Sequence, residues 1–347
     1  MQNTTDQTPG TGTQSDSNDA YSRLRIVFMG TPDFAVASLD ALVRSGAQVV
    51  GVITAPDKPA GRGLHLQESA VKKYALEKGL TILQPEKLKN PQFIEELRAL
   101  RADLQVVVAF RMLPEVVWNM PPLGTINVHG SLLPQYRGAA PINWAVINGE
   151  TETGVTTFQL RHEIDTGDIL LQQSLPIGPD ETAGELHDRM KEAGADLLVK
   201  TLQGLAKGTL QKTAQDSVSG ETETERERER GAAAVNTTTL RHAPKLITDT
   251  GRLDWNRPAA ELHNLIRGLS PFPGAFTTLD GKMLKIYRSG KEVASHDHTP
   301  GHVKTDGKTF LKFATPDGYI QVLELQLEGK KKMPVTDFLR GYRHKVE

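Results

Sequence analysis

Residues 24–34 read LRIVFMGTPDF, and this stretch sets the fold class. It opens as an apolar run interrupted only by Arg25, the pattern of a strand buried on both faces. Gly30, Thr31 and Pro32 break the run, and Asp33 stands where a helix N-cap is expected. Phe34, Ala37, Leu39, Leu42 and Val43 then fall on one helical stripe. The unit repeats downstream. Strands are expected at 24–30, 49–54, 81–84, 104–110, 125–129, 155–160 and 168–177, with helices near 68–78, 91–101, 139–148 and 183–206. The last helix opens with Thr182 and Glu185 at capping-box spacing. This alternation predicts an α/β fold, a Rossmann-like and mostly parallel sheet covered on both faces. The same turn argues against a dinucleotide. Gly30 is its one glycine, Pro32 and Phe34 occupy places where a backbone must approach a pyrophosphate, and no phosphate-loop lysine follows.

Outward from this core the chain divides into four parts. Residues 1–22 are almost entirely polar and are expected to be a disordered tail. Residues 23–212 carry the α/β pattern. Residues 213–238 include ETETERERER at 221–230 and read as a low-complexity linker. Residues 239–347 hold a helical pattern at 258–268 and a PFPG turn at 271–274. Short strands follow at 276–279, 283–287, 309–313 and 319–327, predicting a small, OB-like β-barrel. The charge is split. Residues 231–347 hold 18 Lys+Arg against 12 Asp+Glu, whereas residues 1–220 hold 20 against 25. A polyanionic partner for the second domain follows as an expectation.

Composition excludes several classes. The 347 residues contain no cysteine, which removes a disulfide scaffold, a thiolate zinc site and thiol nucleophilic catalysis. No stretch approaches the roughly 20 apolar residues of a membrane span, and no signal-peptide pattern opens the chain. A cytoplasmic protein is expected.

The chemistry concentrates in residues 124–141, GTINVHGSLLPQYRGAAP. Side chains two apart on a strand share a face, so Asn127 and His129 project together, opposite Ile126 and Val128. An amide donor beside an imidazole suits acyl chemistry, in which one group meets a developing oxyanion and the other donates or moves a proton. Asp165, in the IDTGDI turn at 164–169, lies one helix and one strand further on. That spacing can return a carboxylate to the same sheet edge, where it would orient the imidazole. Either motif alone also has an ordinary structural explanation as a strand end or a turn.

Taken together, VFMGTPDF at 27–34, PDKPAGRG at 56–63, NVHGSLLP at 127–134, RGAAP at 137–141 and DTGD at 165–168 resemble the methionyl-tRNA formyltransferase family. The resemblance spans nearly all of 24–212 and resumes from Ala243 to Met333. It implies formyl transfer from 10-formyltetrahydrofolate to the α-amino group of methionyl initiator tRNA, in support of translation initiation. It further implies that Asn127, His129 and Asp165 are catalytic, and that Ser131, Leu132, Leu133 and Pro134 line the folate site. In the loop 58–63, Arg62 and Lys58 would meet the tRNA acceptor end. Arg111 departs from the family pattern, which more often has glycine there, while Met112 and Leu113 remain apolar candidates for the pterin pocket. No metal is expected, and a monomer is. The rival readings are a formyltransferase acting on a small amine, such as glycinamide ribonucleotide or an amino sugar nucleotide, and a non-catalytic module that binds tRNA or folate. His296, His298 and His302 imitate a metal cluster but fall in a Gly/Pro/Ser-containing loop, and Lys330, Lys331 and Lys332 are as consistent with solvent as with phosphate.

Overall fold

A computed structural model describes residues 20–60, 65–215 and 240–342. In chain order the first domain comprises β1 (Arg25–Gly30), α1 (Asp33–Arg44), β2 (Gln48–Ile53), the hairpin β3 (Lys58–Ala60) and β4 (His65–Gln67), α2 (Ala70–Glu77) and β5 (Ile82–Leu83). Then come α3 (Pro91–Ala99), β6 (Leu104–Val108), α4 (Glu115–Trp118), β7 (Thr125–His129), β8 (Arg137–Gly138), α5 (Pro141–Ile147), β9 (Glu152–Gln159), β10 (Ile169–Pro176) and α6 (Ala183–Ala206). The main sheet has 7 strands in the order β5-β2-β1-β6-β7-β9-β10. Strands β5 through β7 run parallel, β9 is antiparallel to β7, and β10 is antiparallel to β9. The order of winding reverses between β1 and β6, so a crevice opens at the carboxyl ends of the strands there.

Strand alternation sends side chains into two separate cores. Ile26, Phe28, Val106, Val108, Ile126 and Val128 pack on one face with α1, α2 and α6. Val27, Met29, Ile53 and Val107 pack on the other with Phe93, Ile94 and Leu97 of α3 and Val117 of α4. Glycine is required at Gly30, because a Cβ there would stand 2.6 Å from the Ala35 Cβ and 3.0 Å from the Val108 carbonyl.

Three local expectations need correction. Asp33 is not the cap of α1; Pro32 precedes that helix, and the Asp33 carboxylate accepts from Lys191 Nζ at 2.6 Å instead. The tail ends before residue 22, since Tyr21 is buried and its hydroxyl pairs with Ser45 Oγ at 2.6 Å. The first domain runs on past residue 212 to Gln215, because Thr213 bridges to Ile169 and Gln215 is buried. Residues 1–19 and 216–239 lie outside the described residues, as does Arg62. The capping box at α6 forms as expected, with Thr182 Oγ1 accepting from the Glu185 N–H and the Glu185 carboxylate accepting from the Thr182 N–H.

In the second domain β11 (His242–Ala243) adds to β8 of the first. Next come α7 (Ala259–Gly268), β12 (Ala275–Leu279), β13 (Lys282–Val293), β14 (Val303–Thr305), β15 (Leu311–Thr315), β16 (Gly318–Leu327), β17 (Met333–Pro334) and α8 (Val335–Gly341). These strands form an antiparallel sheet ordered β12-β13-β16-β15-β14, with β17 on β16, the curled sheet of a small β-barrel domain. Its core joins Leu284, Ile286, Phe313 and Ile320 to Leu262 and Ile266 of α7.

The two domains are sewn together by backbone acceptors. Arg267 is 5% exposed and donates through Nη1 to the carbonyls of Gly178 (3.2 Å) and Glu181 (3.1 Å). Asn143 Nδ2 donates to the Gly268 carbonyl at 2.8 Å. A guanidinium that gives up water needs such partners, so the contact sets the angle at which the second domain faces the crevice.

Candidate active site

The cleft at the carboxyl ends of β6 and β7 has a volume of about 1890 Å³. On this face α3 and α4 cover β1, β2 and β6, and the polar side of β7 is left open. Asn127 and His129 therefore line the cleft, while the side chains of Ile126 and Val128 pack in the opposite core. Asp165 joins them from the loop between β9 and β10, and the far wall includes Ser270, Pro271, Phe272 and Arg288 of the second domain.

Backbone groups fix the geometry of the trio. His129 Nε2 lies 2.9 Å from the Tyr136 carbonyl oxygen. A carbonyl only accepts, so Nε2 carries a proton in the neutral ring and Nδ1 presents a lone pair. That Nδ1 stands 4.0 Å from Asp165 Oδ2. The same Oδ2 accepts from the Gly138 N–H at 3.0 Å. Asp165 has a φ of +55°, a left-handed conformation that a non-glycine residue adopts only when its surroundings hold it. Phe158 meets the imidazole edge-on, with centroids 6.4 Å apart. The side-chain amide of Asn127 is half-buried and has no hydrogen-bond partner among the described residues, so its donors are free to meet a ligand.

The structure brings Asn127, His129 and Asp165 together, and it separates them from the other expected contacts. Ser131, Leu132, Leu133 and Pro134 do not line the cleft. Ser131 is fully buried and donates to the Gln135 carbonyl at 2.6 Å, while Leu133 is packed with Phe158 and Ile169. They form the buried turn behind His129. The apolar lining comes instead from Met112 (73% exposed), Leu113, Ile164 and Phe272. Arg111 also lines the cleft, but its guanidinium is tied back to the carbonyls of Pro85 and Glu86 and lies over the Phe110 ring. Burial pushes its pKa down. Lys58 is exposed on β3, outside the cleft lining.

Among the other basic residues, Lys332 lines the cleft rim and pairs with Glu324 at 3.0 Å. In the 296–302 loop His298 stacks on His302, and His296 lies tilted against both His298 and Tyr319; no metal-holding group occurs among the described residues. Two functional groups escaped sequence reading, the Tyr136 carbonyl and the Gly138 N–H. Both belong to the backbone, so no residue type announces them.

The Formyl transferase family matches residues 24–202, and the Formyl transferase C-terminal domain matches residues 245–343. A methionyl-tRNA formyltransferase of Parabacteroides distasonis is 55% identical over 330 residues, covering 93% of this chain and 97% of that protein. One of Phocaeicola vulgatus is 56% identical over 326 residues, covering 92% and 96%. Among solved structures, an N-formyltransferase of Helicobacter canadensis, in complex with folinic acid and dTDP-3-aminofucose, superposes with a TM-score of 0.60 at 19% identity, covering 89% of this chain and 100% of that one. At that identity the likeness shows the fold.

Proposed function

Because this chain belongs to the methionyl-tRNA formyltransferase family, we propose that Asn127, His129 and Asp165 are the groups that carry out its formyl transfer. The reaction is transfer of a formyl group from 10-formyltetrahydrofolate to the α-amino group of methionyl initiator tRNA. The observation that carries the assignment of residues is the unpartnered Asn127 amide next to an imidazole whose Nδ1 is turned towards Asp165, with all three residues lining the cleft.

The cleft fits the folate co-substrate in chemistry. Its apolar flank (Met112, Leu113, Ile164) offers a surface for a flat ring, and the polar trio lies beside it. The co-substrate supplies a one-carbon unit whose oxygen gathers negative charge as the amine adds. The Asn127 amide donates to that oxygen, and a preorganised donor in a partly dry site needs no reorganisation to do so. His129 has its Nε2–H committed to Tyr136, so its neutral ring offers Nδ1 as a base and cannot donate there. It takes up the amine's proton at Nδ1, becomes a donor only in that charged form, and returns the proton to folate N10 as the bond from N10 to the formyl carbon breaks, so that tetrahydrofolate leaves and the neutral ring is restored. Asp165 lies where it stabilises the resulting imidazolium, and Gly138 fixes the direction of its carboxylate.

Arg62 and Lys58 bear on the acceptor end of the tRNA, supported by the glycine- and proline-rich spelling of 58–63, and the basic second domain supplies the surface for the rest of it. The chain works in the cytoplasm, where charged tRNA is used. It works as a monomer, a reading supported by the way its own second domain completes the cleft. No helix among the described residues is long and apolar enough to cross a membrane. A formyl donor labelled in its one-carbon unit, offered with methionyl-tRNA or with glycinamide ribonucleotide, tests the substrate. Label is expected on methionyl-tRNA, and label on the small amine alone would overturn the reading.

A further inference from the structure

We infer that Gln215 is a positioning residue for the formyl transfer, holding the Asp165 loop and the His129 loop in register from behind the cleft. The inference rests on the catalytic reading of Asp165 given above. Gln215 is 2% exposed and lies outside the cleft lining. Its amide spends its full hydrogen-bonding capacity on the two loops. Nε2 donates to the carbonyls of Asp165 and Gly167, both at 2.8 Å. Oε1 accepts from Arg137 Nε at 2.9 Å and from Arg137 Nη2 at 2.7 Å. A primary amide has two donor hydrogens and two acceptor lone pairs, and all four are used.

Each bond lands where the catalytic geometry needs it. Asp165 sits at φ +55°, and the bond to its own carbonyl restrains that peptide. Gly167 has no room for a side chain, since a Cβ would lie 1.6 Å from the Gln159 carbonyl oxygen, so this part of the turn has only its backbone to be held by. Arg137, on the other side, stands between Tyr136, whose carbonyl sets the His129 tautomer, and Gly138, whose N–H aims the Asp165 carboxylate. One buried amide thus ties the turn that carries the Asp165 carboxylate to Arg137, at the centre of the segment 136–138 whose backbone orients both the imidazole and the carboxylate. From the second domain the same loop is pinned again, because the Tyr136 N–H donates to the Arg241 carbonyl at 2.6 Å and the Ala140 N–H to the Ala243 carbonyl at 3.2 Å.

The test is a double-mutant cycle in the full-length enzyme with Gln215→Ala and Asp165→Ala, read as kcat, KM for the folate and the pH profile of kcat. Displacement of a reacting group by an ångström costs up to about a hundredfold. Gln215→Ala is therefore expected to lower kcat by at least about tenfold, with little change in KM for the folate and an altered pH profile. In the Asp165→Ala background it should cost almost nothing more. Gln215→Glu keeps the acceptor for Arg137 but cannot donate to the two carbonyls, and it serves if Gln215→Ala does not fold; the same kcat loss and the same non-additivity are expected. Losses that multiply in the double variant, or wild-type kcat in both Gln215 variants while Asp165→Ala is inactive, overturn the inference and leave the catalytic reading standing. Wild-type turnover in Asp165→Ala removes both.

Discussion

His129 Nδ1 stands 4.0 Å from Asp165 Oδ2, beyond hydrogen-bonding reach, while the opposite ring nitrogen is held at 2.9 Å by the Tyr136 carbonyl. The pair is therefore aligned through its neighbours, with the carboxylate held by Gly138 and the ring by Tyr136. A proton on Nδ1 would let the ring donate towards the carboxylate, directly or through a bound water. In the proposed reaction the two side chains of β7 would have different tasks, donation to oxygen for Asn127 and acceptance of a proton for His129.

Removing either group should show that division. Asn127→Ala and His129→Ala are each expected to lose at least about a hundredfold in kcat, the range seen when one oxyanion donor or base is deleted. Thermal melts should stay close to the parent, because the apolar neighbours Ile126 and Val128, not these side chains, anchor β7 in the core. Near-parental turnover in both variants would remove the mechanism.

Gly138 is a second point of failure. Its φ of +126° and the 2.4 Å that would separate a Cβ from the Ala243 carbonyl oxygen leave no place for a side chain. Gly138→Ala should destabilise the protein by about 2 kcal/mol or more in urea titrations. It should also lower kcat, since the N–H that aims Asp165 moves with the strand. A stable Gly138→Ala variant with full activity would contradict this account.

The domain interface should weaken in acid. His263 of α7, whose Nε2 lies 3.3 Å from the Pro179 carbonyl oxygen of the first domain, is 1% exposed, and burial, the largest influence on it, holds its pKa below the ordinary histidine value. The unfolded chain therefore binds a proton that the folded one resists, so stability is present above about pH 6.5 and is lost as the pH falls below it. Melting temperatures measured from about pH 7.5 down to 5 should fall, and His263→Gln should flatten that slope. An unchanged slope would assign the acid sensitivity elsewhere.

For the RNA contact, Arg62→Ala should raise KM for methionyl-tRNA much more than KM for the folate. It should also reduce the salt slope of tRNA binding by about 1, as expected when one phosphate contact is lost. Equal effects on the two KM values would place Arg62 in the folate site or in structural support. Lys58→Ala should show the same direction.

How much of this could be read from the chain alone varies by residue. The period of two in residues 126–129 placed Asn127 and His129 on one side, and the structure puts both in the cleft, because apolar partners on the other side leave the strand no second register. The stretch from Ser131 to Pro134 was a different case. Its residue types fit a ligand wall as well as a packed turn, and only the arrival of Phe158 and Ile169 against Leu133 makes it the latter.

The amino-acid sequence by itself determined the main α/β alternation of the first domain, the absence of thiol chemistry and the polar pair on β7, since these follow from local periodicity and residue type, while the family resemblance was carried by its motifs. The tertiary structure alone decided which imidazole nitrogen is free, how Asp165 is aimed, and that Gln215 and the second domain brace the loops around it. Those outcomes depend on backbone carbonyls and amides of segments far apart in the chain. Every residue type except proline carries both groups, so their partners are settled only when folding brings the segments together.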